Sequence, residues 1–145
     1  MSLLIPDATW AWLTIKAEAE GETDEGMLGV AEVIRNRLRT RYASDGTIAG
    51  TVLRDRQFSC WNSADPTRTR VCQSAEDDPG IRRAQAAWAS ATLGSNLTQG
   101  AVLYHATTMR KPPYWVADLH IRRTVTIGHH AFYVDETLKP RSTLT

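Results

Sequence analysis

The chain has 145 residues, 42% of them hydrophobic, so it is long enough for one domain with a substantial core and too short for two ordinary domains. Its formal net charge of +1 gives no electrostatic reason to expect nucleic acid or anionic lipid as a partner. No stretch approaches the ~20 apolar residues that a membrane span needs, so we expect no stable membrane association.

A glycine separates the first two predicted helices. One helix runs from about Ala8 to Ala19, and Gly21 ends it. The next runs from about Asp24 to Arg39, with Thr23 as its N-cap and an apolar stripe along one face. The residues expected to face the core are Trp10, Leu13 and Ala17 in the first helix and Met27, Val30, Ala31, Ile34 and Leu38 in the second.

Four arginines alternate near the end of the second helix. They are Arg35, Arg37, Arg39 and Arg41. Positive charge near a helix C-terminus is favourable by roughly a few tenths of a kcal/mol per residue, so we interpret these arginines as dipole partners that need no ligand. Contact with an anionic polymer is the alternative interpretation.

The middle of the chain predicts a short helix, a loop and a third long helix. The short helix lies within residues 46–53, and the polar stretch from Ser59 to Pro79 predicts a long loop that borders a substrate groove. Asp78 and Pro79 open the third helix, and Gly94 ends it. Its expected buried face is Ile81, Ala84, Trp88 and Ala91.

Short β-branched and aromatic runs replace the helical periodicity near the end of the chain. Residues 102–105 and 124–134 predict two or three small strands, with a hairpin at Gly128. Because side chains alternate along a strand, Tyr104 and His105 should point to opposite faces. The predicted fold class is therefore α+β, a mostly helical single domain of residues 1–145 with a small antiparallel sheet.

Two carboxylates mark the clearest candidate for chemistry. Glu18 and Glu22 stand four residues apart, which would make them neighbours on a continuous helix. Repulsion between like charges raises the pKa of one member of such a pair, as a general acid near neutral pH requires. Asp24 and Glu25 instead fit the first turn of the helix that follows Thr23, where they complement its dipole.

Four ordered segments resemble the spore-cortex-lytic, cell-wall-hydrolase family. Residues 18–22, Glu-Ala-Glu-Gly-Glu, resemble its Glu-Ala-Arg-Gly-Glu segment, and Asn36-Arg37 resembles the Asn-Arg of its following helix. Residues 57–59, 100–105 and 127–133 resemble its Gln-Phe-Ser, Gly-Ala-Leu-Tyr-Tyr and Ile-Gly-x-His-x-Phe segments, and Trp115 its downstream Trp. The resemblance covers about residues 13–134, with Glu20 replacing Arg and His105 replacing the second Tyr.

This resemblance implies a lysozyme-like or lytic-transglycosylase-like fold that binds peptidoglycan glycan strands and cleaves the MurNAc–GlcNAc bond. Glu18 is then the catalytic acid and Glu22 a supporting catalytic carboxylate. Muramidase chemistry uses a second carboxylate, whereas a transglycosylase can use one, and both remain open. No metal or other cofactor is expected. The expected substrate-binding residues are Tyr104, His105, Gln57, Trp61, Trp115 and Tyr133, although core packing is an alternative role for each.

Two rival functions are a zinc-dependent enzyme and a non-catalytic wall-binding module. Histidines 105, 120, 129 and 130, with Asp118 or Asp135, could form the zinc site of a peptidoglycan amidase or peptidase, although there is no HExxH motif. A non-catalytic wall-binding module is the other rival.

No basic, apolar signal peptide is visible. We therefore expect a monomeric phage or prophage endolysin that stays in the host bacterial cytoplasm until it is released to the wall.

Overall fold

The computed structural model describes residues 7–54, 58–61 and 78–138. Within these ranges, four helices precede a small sheet, which confirms the predicted α+β class. The helices are α1 (Asp7–Ala19), α2 (Asp24–Thr40), α3 (Ile48–Val52) and α4 (Pro79–Thr92), and the strands are β1 (Leu103–Ala106), β2 (Ile121–Ile127) and β3 (His130–Asp135). Two 3₁₀ turns lie at Ser59–Trp61 and Tyr114–Ala117.

Helix α2 is the central element, and α1, α3, α4 and the sheet all pack against it. Thr23 caps its start by accepting a hydrogen bond from the Gly26 amide at 3.2 Å, as predicted. The predicted apolar stripe is buried, except that Leu38 is only partly covered. Burial extends beyond that stripe, because neighbours surround the helix and cover polar side chains as well.

The buried face of α1 differs from the prediction. Ala11, Ile15 and Ala19 are buried, at four-residue intervals, whereas Trp10, Leu13 and Ala17 are only half-buried. Two of these three buried apolar residues are alanines, whose small side chains let α1 approach its neighbours closely. The bulkier tryptophans Trp10 and Trp12 pack at the margin of the core instead.

The short helix predicted within residues 46–53 and the predicted start of α4 are confirmed. Thr47 caps α3, and Asp78 caps α4 by accepting from the Gly80 amide at 2.7 Å, with Pro79 in the first turn. Gly94 follows α4 with a φ of 110°, a conformation that glycine adopts readily. The predicted loop begins instead with the 3₁₀ turn at Ser59–Trp61, and its remainder through residue 77 lies outside the described residues.

The three strands form an antiparallel sheet in the order β1-β3-β2. Tyr104 of β1 lies opposite Phe132 of β3, and their side chains point to the face that packs on the helices. A Cβ atom added to Gly29 of α2 would lie 2.5 Å from the Phe132 ring, so this glycine permits the close contact between helix and sheet. The opposite face carries His105 and Tyr133, so the predicted alternation is correct.

Two of the four alternating arginines, Arg35 and Arg37, are buried. For these two, the interpretation as dipole partners of the helix is wrong. Arg35 donates hydrogen bonds to the carbonyl oxygens of Ala91, at 2.7 Å, and Ser95. Arg37 donates from Nε to the Val102 carbonyl at 2.7 Å. These guanidinium groups satisfy backbone carbonyls at the end of α4 and just before β1, and they join both segments to α2.

Glu32 of α2 is fully buried and holds the loop that follows α4. One of its carboxylate oxygens accepts from the Ser95 hydroxyl at 2.6 Å and the Leu97 amide at 2.9 Å. The other accepts from the amide and the hydroxyl of Thr98, both at 2.8 Å. The Thr98 carbonyl in turn accepts from the Thr124 hydroxyl of β2 at 2.7 Å, so Glu32 joins the helices to the sheet.

Within the described ranges, no helix is both long and apolar enough to cross a membrane.

Candidate active site

Glu18 lies in the last turn of α1, where the helical part of the molecule meets the sheet. Its carboxylate oxygen Oε1 accepts a hydrogen bond from the Tyr104 hydroxyl of β1 at 2.8 Å. Glu18 is partly exposed, so the carboxyl group is held by the protein and can still be approached from outside. A general acid needs this combination of fixed position and access.

Tyr104 is held in place by rings on three sides. Its ring centroid lies 4.9 Å from His130, 5.7 Å from Phe132 and 6.5 Å from Phe58. Burial, followed by the charge of Glu18 and the hydrogen bond to it, raises the pKa of Tyr104 well above 10. The hydroxyl therefore keeps its proton at neutral pH and serves as the donor to Glu18.

Arg37 brings a buried positive charge to the inner side of this pair. Its guanidinium carbon lies 4.9 Å from the Phe58 ring centroid and 5.6 Å from that of Tyr42. Burial lowers the pKa of Arg37, while Tyr104, Tyr42 and Glu18 act in the opposite direction. The cation predicted to complement a helix end thus contributes to the electrostatics of the candidate site.

Glu22 lies beyond the end of α1 and binds the turn between β2 and β3. Its Oε1 accepts from the His129 amide at 2.7 Å, and its Oε2 lies 2.9 Å from His129 Nδ1. A Cβ atom on Gly128, whose φ is 55°, would lie 2.8 Å from Oε1, so any larger residue here would push the Glu22 carboxylate away. Glu22 therefore fastens the hairpin to the loop between α1 and α2.

The pKa of Glu22 is lowered, so Glu22 is not the predicted carboxylate with a raised pKa. Burial alone raises the pKa, but the hydrogen bonds from the side chain and backbone of His129, together with the charges of His130 and His129, outweigh it. Glu18 and Glu22 are not neighbours on one continuous helix, because α1 ends at Ala19 and the Glu22 side chain binds His129.

His130 lies between Tyr104 and Glu22. Its side chain is 10% exposed, and its Nδ1 is 3.9 Å from Glu22 Oε1, too far for a hydrogen bond. Burial lowers the pKa of His130, and the nearby His129 and His105 lower it further, while Glu22 opposes the shift. The sequence predicts His129 and His130 only as possible metal ligands, although His130 occupies the histidine position of the Ile-Gly-x-His-x-Phe segment.

Trp61 lies on the same face of α1 as Glu18. Its indole nitrogen donates to the Thr14 hydroxyl at 2.7 Å, and its ring contacts Trp10 edge-on at 5.5 Å. Thr14 is four residues before Glu18, so the two side chains are neighbours along the helix. The structure thus places Tyr104 in contact with the predicted acid and Trp61 against the preceding turns of the same helix.

The other predicted substrate residues gather on the far face of the sheet. His105 donates from Nδ1 to the Ala106 carbonyl, so its Nε2 accepts from the Tyr133 hydroxyl at 2.9 Å. Trp115 contacts the Tyr133 ring edge-on at 5.0 Å. The sheet separates these three residues from Glu18, and their role in substrate binding stays a prediction. Gln57 lies outside the described residues.

The histidines of the proposed zinc site are dispersed. His129 and His130 lie beside Glu22, His105 lies on the opposite face of the sheet, and His120 is exposed before β2. In the part of the chain that the structure describes, no three His, Cys, Asp or Glu side chains form a group that could hold a metal ion. The arrangement therefore gives no support to the zinc alternative.

A family model described as Cell Wall Hydrolase matches residues 21–133. The chain belongs to the cell wall hydrolase family. Glu22, Tyr104 and His130 lie inside the matched range of this cell wall hydrolase, and Glu18 lies three residues before it. The resemblance inferred from the ordered sequence segments is therefore confirmed at the level of the family.

Two solved structures share the fold of this cell wall hydrolase. The catalytic domain of the Bacillus cereus SleB protein is 22% identical, with a TM-score of 0.69 over 87% of this chain and 88% of that domain. The catalytic domain of the germination-specific lytic transglycosylase SleB from Bacillus anthracis is also 22% identical, with a TM-score of 0.67 over 87% and 92%. No curated protein sequence matches the chain significantly.

Proposed function

We propose that this cell wall hydrolase cleaves the glycan strands of peptidoglycan, with Glu18 as the general acid at the MurNAc–GlcNAc bond. The observation that carries the proposal is the 2.8 Å hydrogen bond from Tyr104 to the partly exposed carboxyl group of Glu18. Family membership supplies the wall polymer as substrate. The structural similarity to the catalytic domain of a lytic transglycosylase supports the choice of the glycan over the peptide.

The surroundings of Glu22 favour a route that uses one carboxylate. Both of its oxygens are already engaged by His129, so Glu22 is poorly placed to activate a water or attack the sugar. In the proposed reaction, Glu18 gives its proton to the leaving glycosidic oxygen. It then takes the proton of the sugar's own 6-hydroxyl, whose oxygen bonds to the anomeric carbon and closes a 1,6-anhydro ring.

The products of digestion test this proposal directly. We expect purified peptidoglycan to release muropeptides with 1,6-anhydro ends, one water lighter than reducing ends, as measured by mass spectrometry. Reducing ends would show muramidase chemistry instead and would contradict the one-carboxylate route. A parallel digestion in EDTA should give the same yield. Loss of activity with rescue by zinc, or cleavage within the peptide alone, would overturn the assignment.

The setting that we propose is phage or prophage lysis, with the enzyme held in the host bacterial cytoplasm until a partner protein opens the membrane. The proposed activity supports this setting, because a peptidoglycan-cleaving enzyme has no substrate on the cytoplasmic side. Expression in the cytoplasm of a Gram-negative host should leave growth unchanged, and added chloroform should then cause rapid lysis. The Glu18→Gln variant serves as the control. Lysis without membrane disruption would contradict the proposed setting.

A further inference from the structure

The position of the Tyr104 hydroxyl depends on the rings around it. Of its three ring neighbours, His130 has the shortest centroid distance, 4.9 Å, and it contacts the Tyr104 ring edge-on. Phe58 and Phe132 are apolar and almost completely buried. His130 is the neighbour in this group that can change its charge.

A polar ring at this position costs stability. His130 Nδ1 is buried, and it has no hydrogen-bond partner among the described residues. An unsatisfied buried polar atom typically costs about 1–3 kcal/mol. A phenylalanine would pack against Tyr104 and Phe132 without that cost, so packing alone does not explain a histidine here.

Charged and titratable groups face His130 from several elements. Glu22 approaches from the loop after α1, and its negative charge favours the protonated ring. His105 of β1 and His129 of the hairpin turn disfavour it. Tyr104 of β1 stays neutral, and Arg37 of α2 lies beyond Tyr104. Because burial outweighs the effect of Glu22, His130 is neutral at neutral pH.

We propose that His130 is a positioning residue that holds Tyr104, and through it Glu18, in the reactive arrangement while the His130 ring is neutral. Protonation ends that arrangement by drawing the ring to Glu22. This inference rests on the proposed role of Glu18 as the acid.

The distance to Glu22 explains how protonation would act. A protonated imidazole donates from both nitrogens, and an acceptor close to Nδ1 is Glu22 Oε1 at 3.9 Å. The ring must move by about 1 Å to form an ordinary N–H···O bond. That movement changes the ring contact that fixes Tyr104. Displacements of about 1 Å in a catalytic arrangement can reduce turnover about 100-fold.

The pH dependence of kcat tests the proposal, with solubilised glycan strands as substrate. Wild-type activity should fall on the acid side, where the His130 ring becomes protonated. His130→Phe keeps a ring and cannot ionise, so it should retain most of the kcat at pH 7.5 and lose the acid-side decline. His130→Ala removes the ring contact, so its kcat should fall about 10- to 100-fold at all pH values, with little change in KM.

Two further variants separate this role from its alternatives. His120→Ala makes the same change at an exposed histidine and should leave the profile unchanged. Glu22→Gln tests whether the Glu22 carboxyl sets the acid-side decline. The proposal is overturned if the acid-side decline of kcat persists in His130→Phe, or if it disappears only in Glu22→Gln. A wild-type kcat in His130→Ala would overturn it as well.

A measurement without turnover covers the case in which a variant does not fold. In an NMR titration of the wild-type protein, the ring resonances of His130 and Tyr104 should shift with one midpoint, below pH 6.5. A Tyr104 ring that does not respond to His130 would overturn the inference. Because this result does not depend on catalysis, it remains informative if Glu18→Gln stays active and the proposed function fails.

Discussion

Replacement of Glu18 by glutamine should lower the turnover of peptidoglycan by at least ~100-fold, the usual effect of losing a general acid. The glutamine oxygen can still accept the Tyr104 hydroxyl, so the contact between α1 and β1 is kept. Removing an anion from the last turn of a helix relieves an unfavourable interaction with the dipole. This gain opposes the loss of attraction between Glu18 and the buried Arg37, so the melting temperature should change little, as measured by circular dichroism.

Tyr104→Phe provides the matched comparison for this prediction. It leaves the carboxyl group in place and removes the hydroxyl that positions it, so turnover should fall less than in Glu18→Gln. Equal activity of wild type and Tyr104→Phe would show that the hydrogen bond has no role in catalysis. If Glu18→Gln melts earlier and keeps its activity per folded molecule, Glu18 is a structural residue.

Replacement of Glu32 by alanine should lower stability by about 3–5 kcal/mol, the usual cost of breaking a buried charged network. It leaves the hydroxyl and amide donors of Ser95, Leu97 and Thr98 without their acceptor. For a chain of this size the melting temperature should fall by roughly 10 °C or more. The exposed Glu20→Ala is the control and should melt like the wild type.

The pH dependence of stability should also show the contribution of the ionised Glu32 carboxylate. Burial raises the pKa of Glu32, but four hydrogen bonds from Ser95, Thr98 and Leu97 outweigh this effect and hold the pKa below its ordinary value. The stabilisation is therefore fully present above the unfolded pKa of about 4.3 and is lost as the pH falls through the folded value. In urea unfolding, wild type and Glu32→Ala should converge in stability as the pH falls. A constant difference would contradict this prediction.

Local patterns predicted most of the helices and strands because their determinants lie within a few residues. Thr23, Asp78 and Gly94 mark helix ends through contacts within one turn, so sequence spacing identified them. The face of α1 was missed, because close helix packing favoured the small residues Ala11 and Ala19 over tryptophan. Hydrophobicity alone does not reveal that preference.

The candidate site was only partly predictable, because polar side chains take their roles from distant partners. Glu18 and Tyr104 were identified from motifs, but nothing local showed that one would bind the other. Glu22 was expected to interact with Glu18, and it binds His129 instead. Arg37 and Glu32 look like surface charges in a sequence, and they are buried because α2 is covered on all sides.

The contacts that complete the site join opposite ends of the chain. Glu18 and Tyr104 are 86 residues apart, and Glu22 and His129 are 107 apart. At about 5–20 residues per second, the ribosome needs roughly 4–17 seconds to add the 86 residues between Glu18 and Tyr104. A nascent chain that carries α1 and α2 therefore has the acid without the tyrosine that holds it. Unfinished chains released from the ribosome would accordingly lack an assembled site.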